Sequence, residues 1–370
     1  MTTHKICLGM WHRPFEKTLD EVIQTLIEVE ELGFSHLFIE TYYNGKLIYP
    51  SRVSLLDMHE WIGEYGTYGS DLLKAFIEEG RKYNIKIHAW VENFFVGQFN
   101  TIEETYWYQH KLSWLLPTRN QSYLHIHEKK YVFLDPANDE VNKYIKSLYQ
   151  ELVEIHKGLE SLHLDYIRYP LVYDITPPNI TDDVGYSRIA LKKLNLFYQE
   201  ELNLLHDAID VETYQKWCNF KIAVINTFVK EVYEIIKLET SLSIAIFGDV
   251  DHAKKHKMQD WMTWIEQGLI QLIIPMAYYK DEHRVFEEVS KLNNRVNGLA
   301  KVFAGIAPSY IGLNAFDNHK QILASIKANA EGVVLFASQN YLTKHFMGET
   351  LDRDDIKKLF KFIKKEGFGT

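Results

Sequence analysis

The chain is short of several things. Its 370 residues hold two cysteines, Cys7 and Cys218. Cys7 lies in an apolar strand pattern and Cys218 in a helical one, so both read as small buried hydrophobes and no disulfide framework is implied. No apolar run approaches the roughly 20 residues that cross a bilayer, so no membrane span is expected. The opening residues, "MTTHKICLGMWHRP", have neither the apolar core nor the cleavage site of a signal peptide. As written the chain reads as cytoplasmic; one trimmed of an export signal would read the same. Long runs of either charge are missing too. The formal net charge of -9 argues against a nucleic-acid partner, since phosphate binding calls for a basic face. There is no Gly-rich phosphate loop between a strand and a helix, and no G-x-S-x-G elbow. No Gly/Ser linker marks a second domain, and nothing in the pattern specifies an oligomeric state.

Strand signals are plentiful. Eight short apolar or β-branched segments stand out: "KICLGMW" from Lys5, "HLFIE" from His36, "IKIHAWVE" from Ile85, "SLHLDY" from Ser161, "SLSIAIF" from Ser241, "QLIIPMAY" from Gln271, "KVFAGIA" from Lys301 and "GVVLFAS" from Gly332. Amphipathic helices alternate with them. The first runs from Leu19 to Leu32, with a capping box at Thr18 and Glu21 and Gly33 beyond its end. Another, Asp139 to Glu154, carries Val141, Ile145, Leu148 and Leu152 on one stripe. The later strands recur about every thirty residues, the length of one strand–helix unit. The fold class expected is α/β: a single (β/α)8 TIM barrel over residues 1–370, with loop excursions after strands 3 and 4 at 94–138 and 171–212.

Alternation sorts each strand into two faces. His36, Phe38 and Glu40 point inward from strand 2, and His88, Trp90 and Glu92 from strand 3. His163 and Asp165 do so from strand 4, and Ser243, Ala245 and Phe247 from strand 5, with Asp249 just beyond. Four neighbouring strands thus end in an acid at the face where such barrels build their sites: Glu40, Glu92, Asp165 and Asp249. Buried charges need partners, because desolvation costs several kcal/mol per ion. Either these acids form a site or each is paired with Arg13, Arg168 or a backbone donor. Aromatics make up 14% of the chain, an excess over ordinary usage, and many sit at strand ends. Trp11, Tyr42, Tyr43, Trp90, Phe94, Phe95, Tyr166, Tyr169, Phe247, Tyr278, Tyr279 and Tyr310 are placed at the mouth. A flat ring with a polar tip suits the C–H face of a sugar, and two carboxyl groups on either side of a sugar ring are what glycoside hydrolysis requires.

The stretches "GMWHRP", "FIETYYNGKLIYPS", "LKAFIEEGRKYNIKIHAWVENFFVG", "FLDPANDEV", "LHLDYIRYP", "GYS", "QDWMTWIEQG", "PMAYY" and "AGIAP", in this order from strand 1 to strand 8, resemble the glycosyl-hydrolase-like family-ten barrels of bacteria. The resemblance implies a (β/α)8 barrel acting on polysaccharide, with peptidoglycan glycan strands as the substrate class, and no cofactor. Two positions depart from the family pattern. Strand 4 begins Glu160-Ser161 where relatives have Asp-Gly, and Gln271 stands where relatives have Asp. The second lies at the bottom of the barrel and is expected to be structural. A more distant likeness to chitinases, through Met276 and Tyr278, stops at their general-acid position, which is Ile167 here.

The expected function is that of a glycoside hydrolase acting on an oligosaccharide or polysaccharide. Asp165 is the first candidate for an essential carboxylate, and Glu92 is the candidate acid, raised by the dry surroundings of Trp90, Phe94 and Phe95. Asp249 is the rival for that role. Trp11, Arg13, Glu40, Tyr42, Trp90, Phe94, Tyr166, Arg168, Phe247, Tyr278 and Tyr279 are the candidate substrate contacts. Arg168 has a second reading, as a clamp on a loop carboxylate such as Asp135. Two other classes fit the same residues. One is a sugar-binding barrel without catalysis. The other is a metal-dependent hydrolase built on His125 and His127, which a strand would place on one face; no further ligands are indicated, and no metal is assigned.

Overall fold

Short apolar strands alternating with helices can bury both faces by curling into a ring covered with helices. The computed structural model, which describes residues 6–171, 183–205, 209–343 and 353–365, has that arrangement. Strands β1 (Cys7–His12), β2 (His36–Tyr43), β3 (Lys86–Val91), β4 (Ser161–Leu164), β5 (Ser241–Ile246), β6 (Leu272–Pro275), β7 (Lys301–Ile306) and β8 (Gly332–Phe336) pair in parallel in chain order, and β8 closes onto β1. Closure leaves all eight hydrogen-bonded on both sides, which removes sheet edges. Lys5, expected to open the first strand, lies outside the described residues.

Helices α1 (Leu19–Glu31), α2 (Leu72–Lys82), α3 (Asp139–Ile155), α4 (Val211–Ile236), α5 (Trp261–Glu266), α6 (Glu282–Val296), α7 (Ala315–Lys327) and α8 (Arg353–Lys365) follow the strands in turn. The Thr18 hydroxyl accepts from the Glu21 backbone N–H at 3.3 Å, and the Glu21 carboxylate accepts from Lys17 N–H at 2.7 Å, which caps α1 as its sequence predicts. Val22, Leu26 and Val29 form its buried face, each contributing roughly 1.5–3 kcal/mol. Gly33, at φ +87°, turns the chain out of the helix.

The excursion after β3 is an antiparallel hairpin, Phe95–Gln98 with Tyr131–Phe133, enclosing a short helix Tyr106–Lys111. The one after β4 carries a helix Arg188–Tyr198; residues 172–182 and 206–208 of this expected span lie outside the described residues. A third excursion, which the pattern did not announce, fills Asn44 to Asp71 and opens with a two-residue strand, Lys46–Leu47, against the end of β2. After β5 comes an extra helix, Val250–Lys257.

The barrel's interior is filled by Trp11, Phe38, Trp90, Ala245, Leu272, Ile274, Phe303 and Val334. A polar thread crosses it. Trp11 Nε1 donates to His163 Nε2 at 3.3 Å, His163 Nδ1 meets Ser243 Oγ at 2.9 Å, and Ser243 Oγ meets Ser161 Oγ at 2.6 Å. Ser161 Oγ then meets His88 Nδ1 at 2.7 Å, and His88 Nε2 meets His36 Nδ1 at 2.8 Å. Burial pushes His36 down to about 4 and His163 to about 3, and also lowers His88 well below the ordinary imidazole range, so all three are neutral near pH 7. An indole N–H can only donate. It therefore fixes His163 Nε2 as acceptor and sends every later donor the same way, from Trp11 to His36. The Ser161 that departs from the family pattern is a link in this thread. Its neighbour Glu160 pairs with Lys86 at 2.8 Å at the bottom of the barrel and takes no part at the mouth. Gln271 accepts from Leu242 N–H at 3.0 Å and donates to the Gly268 carbonyl at 3.1 Å, a structural role as expected.

Candidate active site

The parallel register places the ends of β2, β3 and β4 side by side: Asp165 N–H donates to Val91 O and Glu92 N–H to Tyr42 O, both at 2.9 Å. Three acids gather there. Glu40 and Glu92 are buried and Asp165 is partly exposed. Arg13, just past β1, reaches over them, its Nε 3.4 Å from Glu40 Oε1, its guanidinium carbon 5.8 Å from the Trp90 ring and 5.4 Å from the Phe336 ring.

Their surroundings set the three apart. Burial, with Glu40 and Asp165 close by, pushes Glu92 well above the ordinary carboxyl range; its one backbone donor is Asn44 N–H at 3.4 Å. Burial pushes Glu40 up to about 7 against the pull of Arg13. Asp165 is also raised by burial, but it is opposed by Tyr166 N–H at 2.7 Å on Oδ1, by Arg168 and by Trp90 Nε1–H at 3.2 Å on Oδ2. Donors aimed at both oxygens favour the ionised form. One group is thus supported as a carboxylate beside another held as an acid.

The wall of this pocket is aromatic. Trp90 packs edge-on against Phe336 at 6.4 Å, and Phe336 also touches Tyr278 at 5.8 Å and the exposed Tyr310 at 5.3 Å. Tyr166 stacks on Phe95 at 4.8 Å. Trp11 lies a layer lower, buried and held by His163. Of the candidate residues, Arg13, Glu40, Trp90, Glu92, Asp165, Tyr166 and Tyr278 come together. Phe336 was missed because it is the last residue of a strand read only as apolar.

Others are placed elsewhere. Asp249 is exposed and caps the Val250–Lys257 helix, accepting from His252 N–H at 2.8 Å. β5 ends at Ile246, so alternation carried on to Asp249 fails; the residue belongs to the helix start that "DVDHAKK" encodes. Asp249 and Tyr279 line a different pocket, of about 460 Å³, with Arg284 and Glu288, and the Tyr279 hydroxyl donates to Glu288. Tyr42 is fully buried in the layer between strands and helices, because the β2–β3 register shifts between Glu40 and Tyr42 and turns it outward. Phe94 packs on Phe228 of α4 at 4.9 Å, in the same layer. Phe247, just past the end of β5, is covered by Lys257, whose Nζ stands 3.9 Å from the ring centroid, and is not among the residues that fill the barrel interior. Ile167, the position compared with chitinases, is fully buried.

Arg168 is buried and clamps a carboxylate, but that of Glu128 at 3.0 Å rather than Asp135. Asp135 accepts instead from Ser187 Oγ at 2.6 Å and Ala137 N–H at 2.9 Å. His125 and His127 do not share a face. A 3-10 turn, Ile126–Glu128, replaces the expected strand, leaving His125 buried beside Phe133 and His127 exposed. Among the described residues no group of three or more His, Cys, Asp or Glu is arranged to hold a metal ion.

Comparison with known proteins follows the same direction. The chain is 21% identical over 268 residues to glycosyl hydrolase YngK of Bacillus subtilis (strain 168), an alignment covering 70% of this chain and 49% of YngK. The chain thus spans about half the length of that curated relative. Among solved structures, the catalytic domain of β-amylase from Paenibacillus polymyxa superposes with a TM-score of 0.63 at 11% identity, covering 99% of both chains. The GH36 α-galactosidase AgaA of Geobacillus stearothermophilus gives 0.52 at 9% identity, over 99% of this chain and 42% of that one. At such identities the structural likeness speaks for the barrel fold. The family model described as glycosyl hydrolase-like 10 matches residues 10–327. Over that span, which includes the ends of β2, β3 and β4 with their three carboxyl groups, this chain belongs to the glycosyl hydrolase-like 10 family.

Proposed function

We propose that the chain is a glycoside hydrolase that cleaves O-glycosidic bonds in a bacterial polysaccharide, with peptide-free peptidoglycan glycan strands as the first substrate to test. The observation that carries this reading is the split among neighbouring carboxyl groups. Asp165 has donors on both oxygens, while Glu92 is buried with a single long one. Such a pair divides the two tasks of glycoside hydrolysis. Glu92 gives its proton to the leaving oxygen as the glycosidic bond breaks. Asp165, as the carboxylate, supplies the negative charge at the sugar carbon, by attack or through a water whose proton it takes. Glu40, tied to Arg13, keeps Glu92 protonated by adding negative charge beside it. Trp90, Tyr166, Tyr278 and Phe336 offer faces for sugar rings. Family membership and the YngK relative support the same class of activity.

The test is incubation with a panel of glycans, peptide-free peptidoglycan strands included, with products read by mass spectrometry. Shorter oligosaccharides are expected from at least one glycan. Oligosaccharide binding with no cleavage of any of them would reduce the chain to a sugar-binding barrel.

A further inference from the structure

The Asp165–Tyr166 turn is unusual in its backbone. Tyr166 has φ +49°, a left-handed conformation that a bulky residue enters only when its surroundings impose it. This turn aims Tyr166 N–H at Asp165 Oδ1, 2.7 Å away. What imposes it is visible on both faces of the Tyr166 ring. Phe95, from the hairpin after β3, stacks at 4.8 Å with the planes 20° apart. The Arg168 guanidinium carbon stands 4.9 Å from the Tyr166 ring centroid. Arg168 is held in turn by Glu128, whose two oxygens lie 3.0 and 3.1 Å from Nη1, and by the Tyr169 carbonyl at 3.0 Å. Lys257 adds a contact to Glu128 at 3.4 Å. Glu128, Arg168 and Lys257 come from the segments after β3, β4 and β5, and all three side chains are nearly inaccessible.

We propose that Glu128 is a positioning residue for Asp165: through Arg168 it locks the left-handed turn at Tyr166 that delivers a backbone N–H to the carboxylate. The excursion after β3 then belongs to the working site although Glu128 does not touch Asp165. The catalytic consequence rests on the reading of Asp165 given above; the positional claim does not. The other charged or titratable groups facing Asp165 are Glu40 on β2, Glu92 on β3, Arg13 after β1 and Tyr278 after β6. None of them touches the clamp.

The test removes the ion pair without changing net charge, in the double variant Glu128→Gln/Arg168→Met. With [4-13C]aspartate incorporated, the Asp165 carboxyl signal is assigned by its loss in Asp165→Asn and titrated. Losing the N–H donor together with the Arg168 charge is expected to raise the Asp165 midpoint by about one pH unit, and Phe95→Leu, which keeps Arg168, must raise it as well if the N–H carries the effect. Should the double variant not fold, Phe95→Leu releases the other face of the ring with every charge in place and is expected to move the midpoint the same way. An unmoved midpoint in a folded variant, with only the melting temperature lowered, overturns the proposal. Turnover in Asp165→Asn is read separately: if it stays near wild type, the proposed catalytic role falls while the titration still judges the clamp.

Discussion

At the scale of single residues, the consequences follow from which carboxyl group holds a proton. Replacing Asp165 by Asn keeps the side chain's shape and an oxygen for the Tyr166 N–H, removes the charge and leaves the long Trp90 Nε1–H contact without its acceptor. Turnover on the cleaved glycan is expected to fall by roughly 10³ or more, with the thermal midpoint little changed. The pH dependence carries a second expectation. The rate should fall on the acid side as Asp165 takes up a proton, and on the alkaline side as Glu92 gives one up. Glu40 and Arg13 govern that alkaline limb: in Glu40→Gln a like charge disappears and Arg13 is freed toward Glu92, so the limb should move to lower pH. A limb that stays in place in this variant would remove Glu92 as the proton donor. Glu40, Glu92, Asp165 and Trp90 were legible in the sequence because strict alternation holds to the end of β3 and just past β4. Tyr42 was not, since one register shift reversed its face. Glu128 and Lys257 were also out of reach. Long polar side chains on excursions carry no periodicity, and only the folded barrel brings their loops together.

At the scale of elements, the eight barrel strands and the helix that follows each were legible from pattern alone, the short elements of the excursions and the extra helix after β5 were not, and the site residues misplaced on β5 and in the excursion after β3 fall where one element ends and another begins. Phe247 and Asp249 share a face only if β5 continues; the chain instead starts a helix whose cap is Asp249. His125 and His127 share a face only in a strand, and a tight turn stands there. The polar thread through β1 to β5 gives this scale its own tests. Ser243→Ala leaves the His163 N–H and the Ser161 hydroxyl without their partner, at a cost of about 1–3 kcal/mol in denaturant unfolding. The thread's histidines are neutral in the folded barrel and ordinary in the unfolded chain. Their contribution is whole above about pH 6.5 and is lost as pH falls through about 4 for His36 and about 3 for His163. Unfolding free energy measured across pH 7 to 4 should therefore decline on acidification. A flat profile would mean that these rings accept protons in place.

Across the whole molecule, the helical layer is fastened to the excursions by a few buried polar anchors. Asp183 accepts from Lys221 Nζ at 2.9 Å, Trp217 Nε1 at 2.9 Å and the Tyr186 hydroxyl at 3.0 Å, with Asp183 and Lys221 both sealed from solvent. This joins the segment after β4 to α4. Lys221→Met strands the carboxylate and should cost about 3–5 kcal/mol in chemical denaturation, far more than removing the exposed pair Lys193–Asp139. The barrel axis carries a further consequence. Trp11 has a hydrogen to give and no lone pair to receive one, so the thread of imidazoles and hydroxyls beneath the acids is a blind alley for proton traffic. If Glu92 is the proton donor proposed above, the proton it gives up returns from water entering at the open end. On that reading the wetting of the rim, rather than any conduit through the floor, would set how quickly the acid is recharged.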